Sequence, residues 1–215
     1  INLHPSLLPR YRGPAPINAA ILNGDRETGI TVQRLAPRMD AGDILLQERM
    51  PLSGRETAGS LTALAAEKGA LLLARALDLI AAGAETPVPQ DEAAATYCSL
   101  LSKEQGLIDW RRDAGAIERM TRAYDPWPGA CTFFRGDSLA VLRAAVFGDR
   151  ELPVAGARPP GKVLGVDKGR GILIQTGKGV LAVEELRLQS RKAMDFRSFL
   201  NGTRGFIGSV LGVAE

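Results

Sequence analysis

Apolar and polar positions in the first part of the chain predict a mixture of strands and helices. Residues 30–35 alternate with a period of two, which predicts a strand, and a second strand is predicted over residues 44–47. Between Thr57 and Ala82, leucines and alanines recur at helical spacing, so one or two amphipathic helices are expected, with Gly83 able to cap the end. Pro16 is expected to begin a short helix.

The later part of the chain has a different pattern, in which short apolar runs are separated by glycine. A helix is predicted over residues 113–123, and it must end before Pro126. Asp195 is expected to begin a short closing helix. Strands are predicted at residues 131–134, 138–143, 162–166, 172–176 and 180–188. Strands of this length and number favour a small antiparallel barrel, and an oligonucleotide-binding barrel is one architecture of that kind.

The stretch A-E-T-P-V-P-Q-D-E-A-A-A, residues 84–95, carries two prolines and little to bury. Such composition is typical of a connection between domains. The sequence therefore predicts a first domain over residues 1–83, a linker over 84–101 and a second domain over 102–215.

The first residues of the chain combine an amide and the only histidine. Ile1 and Leu3 alternate with Asn2 and His4, so Asn2 and His4 are expected on one face of a strand. Pro5 should end that strand, which leaves both side chains at its carboxyl end, where open α/β sheets bind ligands. An amide donor beside an imidazole suits the stabilisation of a negatively charged oxygen. Asp40 is predicted at a similar junction of strand and loop.

Composition narrows the class of protein. Cys98 and Cys131 fit neither a metal spacing nor a disulfide framework, which favours a reducing cytoplasm, and a single histidine makes a zinc site unexpected. No apolar run approaches the roughly 20 residues of a membrane span. Residues 1–95 hold 9 basic and 11 acidic side chains, net −2, whereas residues 96–215 hold 18 and 13, net +5. The basic part is either a polyanion-binding surface or an ordinary solvated face.

Several segments resemble one enzyme family. N-L-H-P-S-L-L-P-R-Y-R-G-P-A-P-I, T-G-I-T-V and M-D-A-G-D-I-L resemble the formyltransferase domain that uses 10-formyltetrahydrofolate. A-T-Y-C-S-L-L-S-K-E-Q-G-L-I-D-W, D-P-W-P-G-A and K-A-M-D-F-R-S-F-L-N-G resemble the C-terminal domain of the methionyl-tRNA formyltransferases. The resemblance implies the C-terminal portion of a Rossmann-like α/β formyltransferase domain, followed by an OB-fold-like barrel that binds tRNA. The family's preceding βαβ half is not among these residues, so we expect either an upstream segment or a fragment.

The resemblance also implies a reaction and its residues. The formyl group of 10-formyltetrahydrofolate would pass to the amino group of methionine on initiator tRNA, for translation initiation. Asn2 and His4 would donate to the developing oxyanion, and Asp40 would pair with His4. The folate site would be lined by Ser6, Leu7, Leu8 and Pro9, and the loop over residues 39–43 would close on it. A cytoplasmic monomer without a metal is expected, and tRNA phosphates would meet Lys103, Arg111, Arg112, Arg119 and Arg122.

Two alternatives remain open from the sequence. Sugar-nucleotide N-formyltransferases share the N-x-H…D core and can show a segment similar to D-P-W-P-G; the K-A-M-D-F-R-S-F-L-N-G tail and the I-D-W segment favour the tRNA acceptor instead. In a non-catalytic alternative the chain is a tRNA-binding fragment, against which the presence of Asn2, His4 and Asp40 argues.

Overall fold

The computed structural model describes residues 1–148 and 158–212. Its contacts divide the chain into two compact units, Ile1–Leu101 and Ser102–Glu215. The residues predicted as a linker, 84–101, fall within the first unit, and the second contains residues 149–157 and 213–215, which lie outside the described part. No helix among the described residues is long and apolar enough to cross a membrane.

The first unit is a three-stranded antiparallel sheet, in the order β1-β2-β3, with two helices. Its elements are β1 (Asn2–His4), α1 (Pro16–Asn23), β2 (Glu27–Gln33), β3 (Ile44–Pro51) and α2 (Ala58–Ala81). Helix α2 is continuous, and Thr57 and Ser60 form a reciprocal capping box at its start. At Gly69 the helix comes so close to β1 that an added Cβ would lie 2.6 Å from Leu3 Cδ2. A glycine in α2 thus lets the helix cover the strand that carries Asn2 and His4.

Residues 88–98 form a segment that we call the strap, because it is hydrogen-bonded both to the start of β3 and to the loop that follows β1. Val88 exchanges backbone hydrogen bonds with Ile44, at 2.8 and 2.9 Å. The backbone N–H of Arg12 donates to Thr96 O at 2.8 Å, and that of Cys98 donates to Arg12 O at 2.8 Å. The strap has few apolar residues to bury, so it is held by polar contacts.

The second unit is an antiparallel sheet in the order β4-β5-β8-β7-β6, with β9 beside β8. Its elements are α3 (Ala114–Ala123), β4 (Ala130–Phe134), β5 (Asp137–Phe147), β6 (Val163–Asp167), β7 (Gly171–Gln175), β8 (Val180–Leu188), β9 (Met194–Asp195) and α4 (Phe196–Gly202). Asp113 caps α3 and Asp195 caps α4 through side-chain oxygens. All five predicted strands and both predicted helices are confirmed, with β5 extending four residues beyond the predicted end at Arg143.

Among the described residues no strand ladder joins β4 to β6. The C-terminal segment over residues 208–212 lies between these two edges instead. Leu211 N donates to Gly161 O at 2.9 Å, Val163 N donates to Ser209 O at 2.9 Å, and Gly212 N donates to Phe133 O at 3.0 Å. One segment therefore contacts both edges of the sheet.

Candidate active site

The candidate site is built on a polar face of the small sheet. In the antiparallel ladder of β1 and β2, Asn2 lies opposite Gln33 and His4 lies opposite Thr31. Residues directly opposite each other, and residues two apart on one strand, share a face. His4, Thr31 and Gln33 are buried, so this face combines hydrogen-bonding side chains with little water. The predicted strand end at His4 is confirmed.

His4 has an acceptor at each ring nitrogen. Nε2 lies 2.9 Å from the backbone carbonyl of Tyr11, and because a carbonyl can only accept, Nε2 carries a hydrogen. Nδ1 lies 3.7 Å from Asp40 Oδ1, which is ion-pair distance and longer than a hydrogen bond. The imidazolium form is the one that presents a hydrogen to both acceptors.

Asp40 is held from two further sides. Oδ1 accepts from Gln33 Nε2 at 3.1 Å, and Oδ2 accepts from the backbone N–H of Gly13 at 2.8 Å. The residue has φ +51°, in the left-handed region that non-glycine residues adopt at a cost of roughly 1 kcal/mol or more. A strained backbone and a fully engaged carboxylate show that the position of Asp40 is determined by the surrounding structure.

Asn2 differs from its neighbours because its side chain is partly exposed. Across residues 1–148 and 158–212, no protein group is hydrogen-bonded to its amide. Its partner across the ladder, Gln33, contacts Asp40 as described. The structure therefore brings Asn2, His4 and Asp40 to one region, with the Asn2 amide available to a ligand.

The predicted folate-lining residues belong to the loop that follows β1. The Ser6 hydroxyl donates to Arg10 O at 2.6 Å, and Leu8 N donates to Thr31 Oγ1 at 3.2 Å. Leu7 packs over Gly29, where an added Cβ would lie 2.3 Å from Leu7 Cδ2. The side chains of Ser6, Leu7 and Leu8 are buried, whereas Pro9 is partly exposed. If Ser6, Leu7 and Leu8 contact a ligand, they would do so through backbone atoms. Their assignment to the folate site stays a prediction.

Arg12 and Gln90 are site-shaping residues that the sequence analysis missed. Arg12 is fully buried and donates to Gln90 Oε1 at 2.8 and 3.1 Å and to Glu92 at 2.9 and 3.2 Å. Gln90 Nε2 donates to the backbone carbonyls of Asp40 and Gly42. Arg12 lies in a motif that the sequence did single out, but Gln90 lies in the predicted linker, where no periodicity marks it.

Cys98 lies beside the same loop, with its thiol 3.4 Å from Arg12 O. Burial raises the pKa of this thiol, and the charge on Asp40 raises it further. Cys98 is thus kept as the thiol rather than the nucleophilic thiolate. Among the described residues no group of three or more His, Cys, Asp or Glu could hold a metal ion.

The basic side chains predicted to contact tRNA differ in their partners. Arg111 makes a bidentate pair with Asp109 at 2.7 and 2.9 Å, and Arg122 pairs with Glu118 at 2.6 and 3.0 Å. Arg112 and Lys103 are exposed, and Arg119 is partly buried. The charges of Arg111 and Arg122 are thus partly neutralised within the protein.

A second set of cations lies along two adjoining grooves of the second unit. A groove of about 520 Å³ is lined by Lys103, Arg187 and Arg191 among others. A groove of about 360 Å³ shares Leu188 and Arg191 with it and adds Arg135, Arg204 and one carboxylate, Asp137. Within the described part of the chain, no salt bridge involves the five basic residues Lys103, Arg135, Arg187, Arg191 and Arg204.

Two family models match this chain, one in each of its two units. A family described as "Formyl transferase" matches residues 1–77, and "Formyl transferase, C-terminal domain" matches residues 100–204. The chain belongs to the formyltransferase family. Both halves of the sequence resemblance, and with them the formyltransferase fold, are thereby confirmed.

Two curated relatives carry the same name. The chain is 47% identical over 207 residues to "Methionyl-tRNA formyltransferase" of Treponema denticola, covering 96% of this chain and 64% of that protein. It is 46% identical over 212 residues to the protein of that name from Roseiflexus castenholzii, covering 99% of this chain and 66% of the relative. The chain therefore spans just under two thirds of the length of these relatives.

Solved structures show the likeness in fold. HypX from Aquifex aeolicus in complex with tetrahydrofolic acid has a TM-score of 0.66 at 23% identity, over 96% of this chain and 36% of that one. WlaRD, a sugar 3N-formyl transferase, has a TM-score of 0.65 at 17% identity, over 89% of this chain and 65% of that one. At these identities the likeness concerns the fold alone.

Proposed function

We propose that this formyltransferase is a methionyl-tRNA formyltransferase, which transfers the formyl group of 10-formyltetrahydrofolate to the amino group of methionine on initiator tRNA. The observation that carries the proposal is the pairing of His4 with Asp40 beside Asn2, in a chain whose curated relatives are named for this reaction. The reaction serves translation initiation, and it would take place in the cytoplasm, where Cys98 and Cys131 stay reduced.

The folate co-substrate supplies an electrophilic formyl carbon, and the protein manages the charge and the proton of the transfer. The Asn2 amide donates to the formyl oxygen as negative charge develops there when the methionine amine attacks. Its partial exposure and lack of a protein partner among the described residues support this role. Among the described residues no protein group competes for this amide, so it is available to donate to the formyl oxygen.

His4 supplies the second donor, held by Asp40. Because Nε2 donates to Tyr11 O in this structure, donation to the substrate requires that this hydrogen bond be exchanged for one to the formyl oxygen. The Asp40 carboxylate, 3.7 Å from Nδ1, keeps that side of the ring oriented. The amine loses a proton towards Asp40, directly or through water. As the bond between the formyl carbon and the folate nitrogen breaks, that nitrogen takes up one proton, so the charge at the site is restored.

For the folate, Ser6 to Pro9 would offer backbone groups, since the side chains of Ser6, Leu7 and Leu8 are buried. The loop over residues 39–43 would close on the co-substrate. This assignment fits a ligand that is recognised by carbonyl and N–H groups, with Pro9 as the accessible apolar surface.

The second unit is proposed as a barrel of the OB type that binds the tRNA. The segment over residues 208–212, which contacts β4 and the β6 edge, supports closure of the sheet into a barrel. We assign the phosphate contacts to the groove cations that form no salt bridge with any described residue, together with Arg112. Arg111 and Arg122 are less suitable, because their carboxylate partners compete with phosphate. Such contacts position the tRNA and do not read its sequence.

In the test, the full-length protein is incubated with 10-formyltetrahydrofolate and with one of two acceptors, methionyl initiator tRNA or an amino-sugar nucleotide. Formyl transfer to each acceptor is measured. Transfer to the tRNA alone is the expected result. Transfer to the sugar would keep the roles of Asn2, His4 and Asp40 but replace the acceptor. Transfer to neither would bring forward the non-catalytic tRNA-binding alternative.

A further inference from the structure

Gln90, in the strap, links two parts of the site that are far apart in sequence. Its Nε2 donates to the backbone carbonyl of Asp40 at 2.8 Å and to that of Gly42 at 2.7 Å. Its Oε1 accepts from Arg12 Nη2 at 2.8 Å and from Arg12 Nε at 3.1 Å. One amide thus connects the loop that carries Asp40 with the loop that follows β1.

The orientation of this amide is determined by its partners. Carbonyl oxygens can only accept, and a guanidinium can only donate. The reverse assignment of nitrogen and oxygen would therefore lose these four hydrogen bonds and a fifth, longer one from Gln90 Nε2 to Gln33 Oε1 at 3.3 Å. Arg12 is itself fully buried and is held by Glu92 as well. The Oε1 side of Gln90 is therefore held by the buried Arg12 guanidinium, and its Nε2 side can hold the Asp40 loop.

The Asp40 loop needs such a support. Asp40 has φ +51°, an unfavourable backbone conformation for a residue with a side chain. The peptide orientation at Asp40 determines where its carboxylate points, and Oδ1 lies only 3.7 Å from His4 Nδ1. Gly42 packs so tightly that an added Cβ would lie 1.7 Å from Arg34 O. The hydrogen bonds from Gln90 meet the loop at the carbonyls of Asp40 and Gly42, which are at and just after the residue that carries the carboxylate.

We propose that Gln90 is a positioning residue for formyl transfer, which holds the Asp40 loop in the conformation that places the carboxylate against His4. The inference rests on the proposed function for its kinetic consequence. Its geometric consequence, the environment of the His4 ring, is independent of which acceptor the enzyme uses.

The test uses Gln90→Glu and Gln90→Leu in the full-length protein. The glutamate variant would keep acceptors for Arg12, but its ionised carboxylate cannot donate to the two carbonyls, whereas leucine removes both sets of hydrogen bonds. Because small misplacements in a catalytic site can cost about 10²-fold in rate, we expect kcat to fall by about 10- to 10²-fold for both variants. KM for the tRNA should change little, since Gln90 belongs to the first unit and the proposed tRNA contacts belong to the second.

A spectroscopic measurement separates positioning from general stability. The imidazole NMR signals of His4, assigned by their loss in His4→Gln, should shift in both Gln90 variants. The matched control is Gln175→Leu in the second unit, which also removes an amide that donates to two backbone carbonyls, Thr176 O and Gly179 O. That variant should lose stability without a change in kcat or in the His4 signals.

The outcomes are distinguishable from failure of the proposed function. Folded Gln90 variants with unchanged kcat, or with unmoved His4 signals, would overturn the inference. If the unmodified protein formylates neither acceptor, the proposed function fails, and the His4 signals still decide whether Gln90 sets the position of Asp40.

Discussion

The interiors of the two units differ in what they bury. The first unit buries His4, Ser6, Arg12, Thr28, Thr31 and Gln33, whereas in the described part of the second unit the buried polar residues are Thr121, Thr132 and Thr176. The core of the second unit includes Ile172, Ile174, Leu181, Val183 and Leu186, all with no exposed surface. Buried polar groups require complete hydrogen bonding and give less stability than apolar packing. In the first unit, His4, Thr31 and Gln33 lie on the sheet face that carries the candidate site. In the second unit, the interior is mainly apolar and cations lie along two surface grooves.

The two units also differ in where non-glycine residues adopt positive φ. Tyr11 and Asp40 have positive φ in loops of the first unit, beside His4. In the second unit, Arg135 has positive φ together with Gly136 in the turn between β4 and β5, where a two-residue hairpin requires it. Ser190, also of the second unit, has positive φ in the turn that follows β8. Among the described non-glycine residues, positive φ therefore lies in turns in the second unit and in loops that contact His4 in the first.

The difference between the two units can be tested most directly at the proposed catalytic residues. Asn2→Ala and His4→Ala in the full-length protein should each lower the rate of formyl transfer by at least ~10²–10³-fold, because each removes a proposed donor to the developing oxyanion. Circular dichroism and thermal unfolding should show that the fold survives. Near-normal turnover in both variants would remove the proposed mechanism.

The corresponding test in the second unit is the substitution Thr132→Val, which removes a buried hydrogen-bond acceptor. The Thr132 hydroxyl accepts from Trp110 Nε1 at 3.0 Å in the buried interior. Loss of that partner leaves a buried donor unsatisfied and should cost about 1–3 kcal/mol in the free energy of unfolding. The rate of formyl transfer, measured well below the unfolding temperature, should stay unchanged; a large loss of rate would contradict the division between the units.

Two glycines offer a closely matched pair. An added Cβ would lie 1.7 Å from Arg34 O at Gly42 and 1.7 Å from Arg111 O at Gly177, so alanine forces the backbone apart at both positions. Each substitution should cost about 1–3 kcal/mol of stability. Only Gly42→Ala should also lower kcat, because it displaces the Asp40 loop. Equal kinetic effects of the two substitutions would argue against a special role for that loop.

The surface of the second unit can be tested with a pair of arginines. Arg191→Gln removes a cation without a carboxylate partner in the described structure, whereas Arg111→Gln removes one that is already paired with Asp109. In tRNA binding measured against salt concentration, the slope of log K should become shallower by about 0.9 for Arg191→Gln. The change for Arg111→Gln should be smaller. The opposite order would place the phosphate contacts on the predicted set instead.

The smallest expected effect concerns the strap and pH. Hydrogen bonds from Arg12, the largest cause, and from Arg38 lower the pKa of Glu92 from 4.5 to about 2. The resulting stabilisation is fully present above pH 4.5 and is lost as the pH falls towards about 2. The difference in Tm between the unmodified protein and Glu92→Gln should therefore shrink over that range. A difference that stays constant down to pH 2 would show that the charge of Glu92 contributes nothing.

Much of the fold was predictable because it depends on local patterns. The α3 helix has an N-cap aspartate and a strong apolar stripe, and β8 was predicted over its observed residues. The strand β2 was predicted too far along the chain, since Leu35 is apolar but 74% exposed. A single apolar residue in a loop is indistinguishable from a strand position when only alternation is considered.

The sequence by itself determined the family, the strands and helices, and the placement of Asn2 and His4 on one strand that ends at Pro5. These features depend on motifs and on neighbours within a few residues. Only the tertiary structure decided that His4 meets Asp40 across 36 positions of sequence, that Ser6, Leu7 and Leu8 are buried, and that Gln90 of the strap is bonded to the Asp40 loop. The physical reason is that these contacts join segments with no common periodicity, through polar groups whose partners are determined only when the chain is folded.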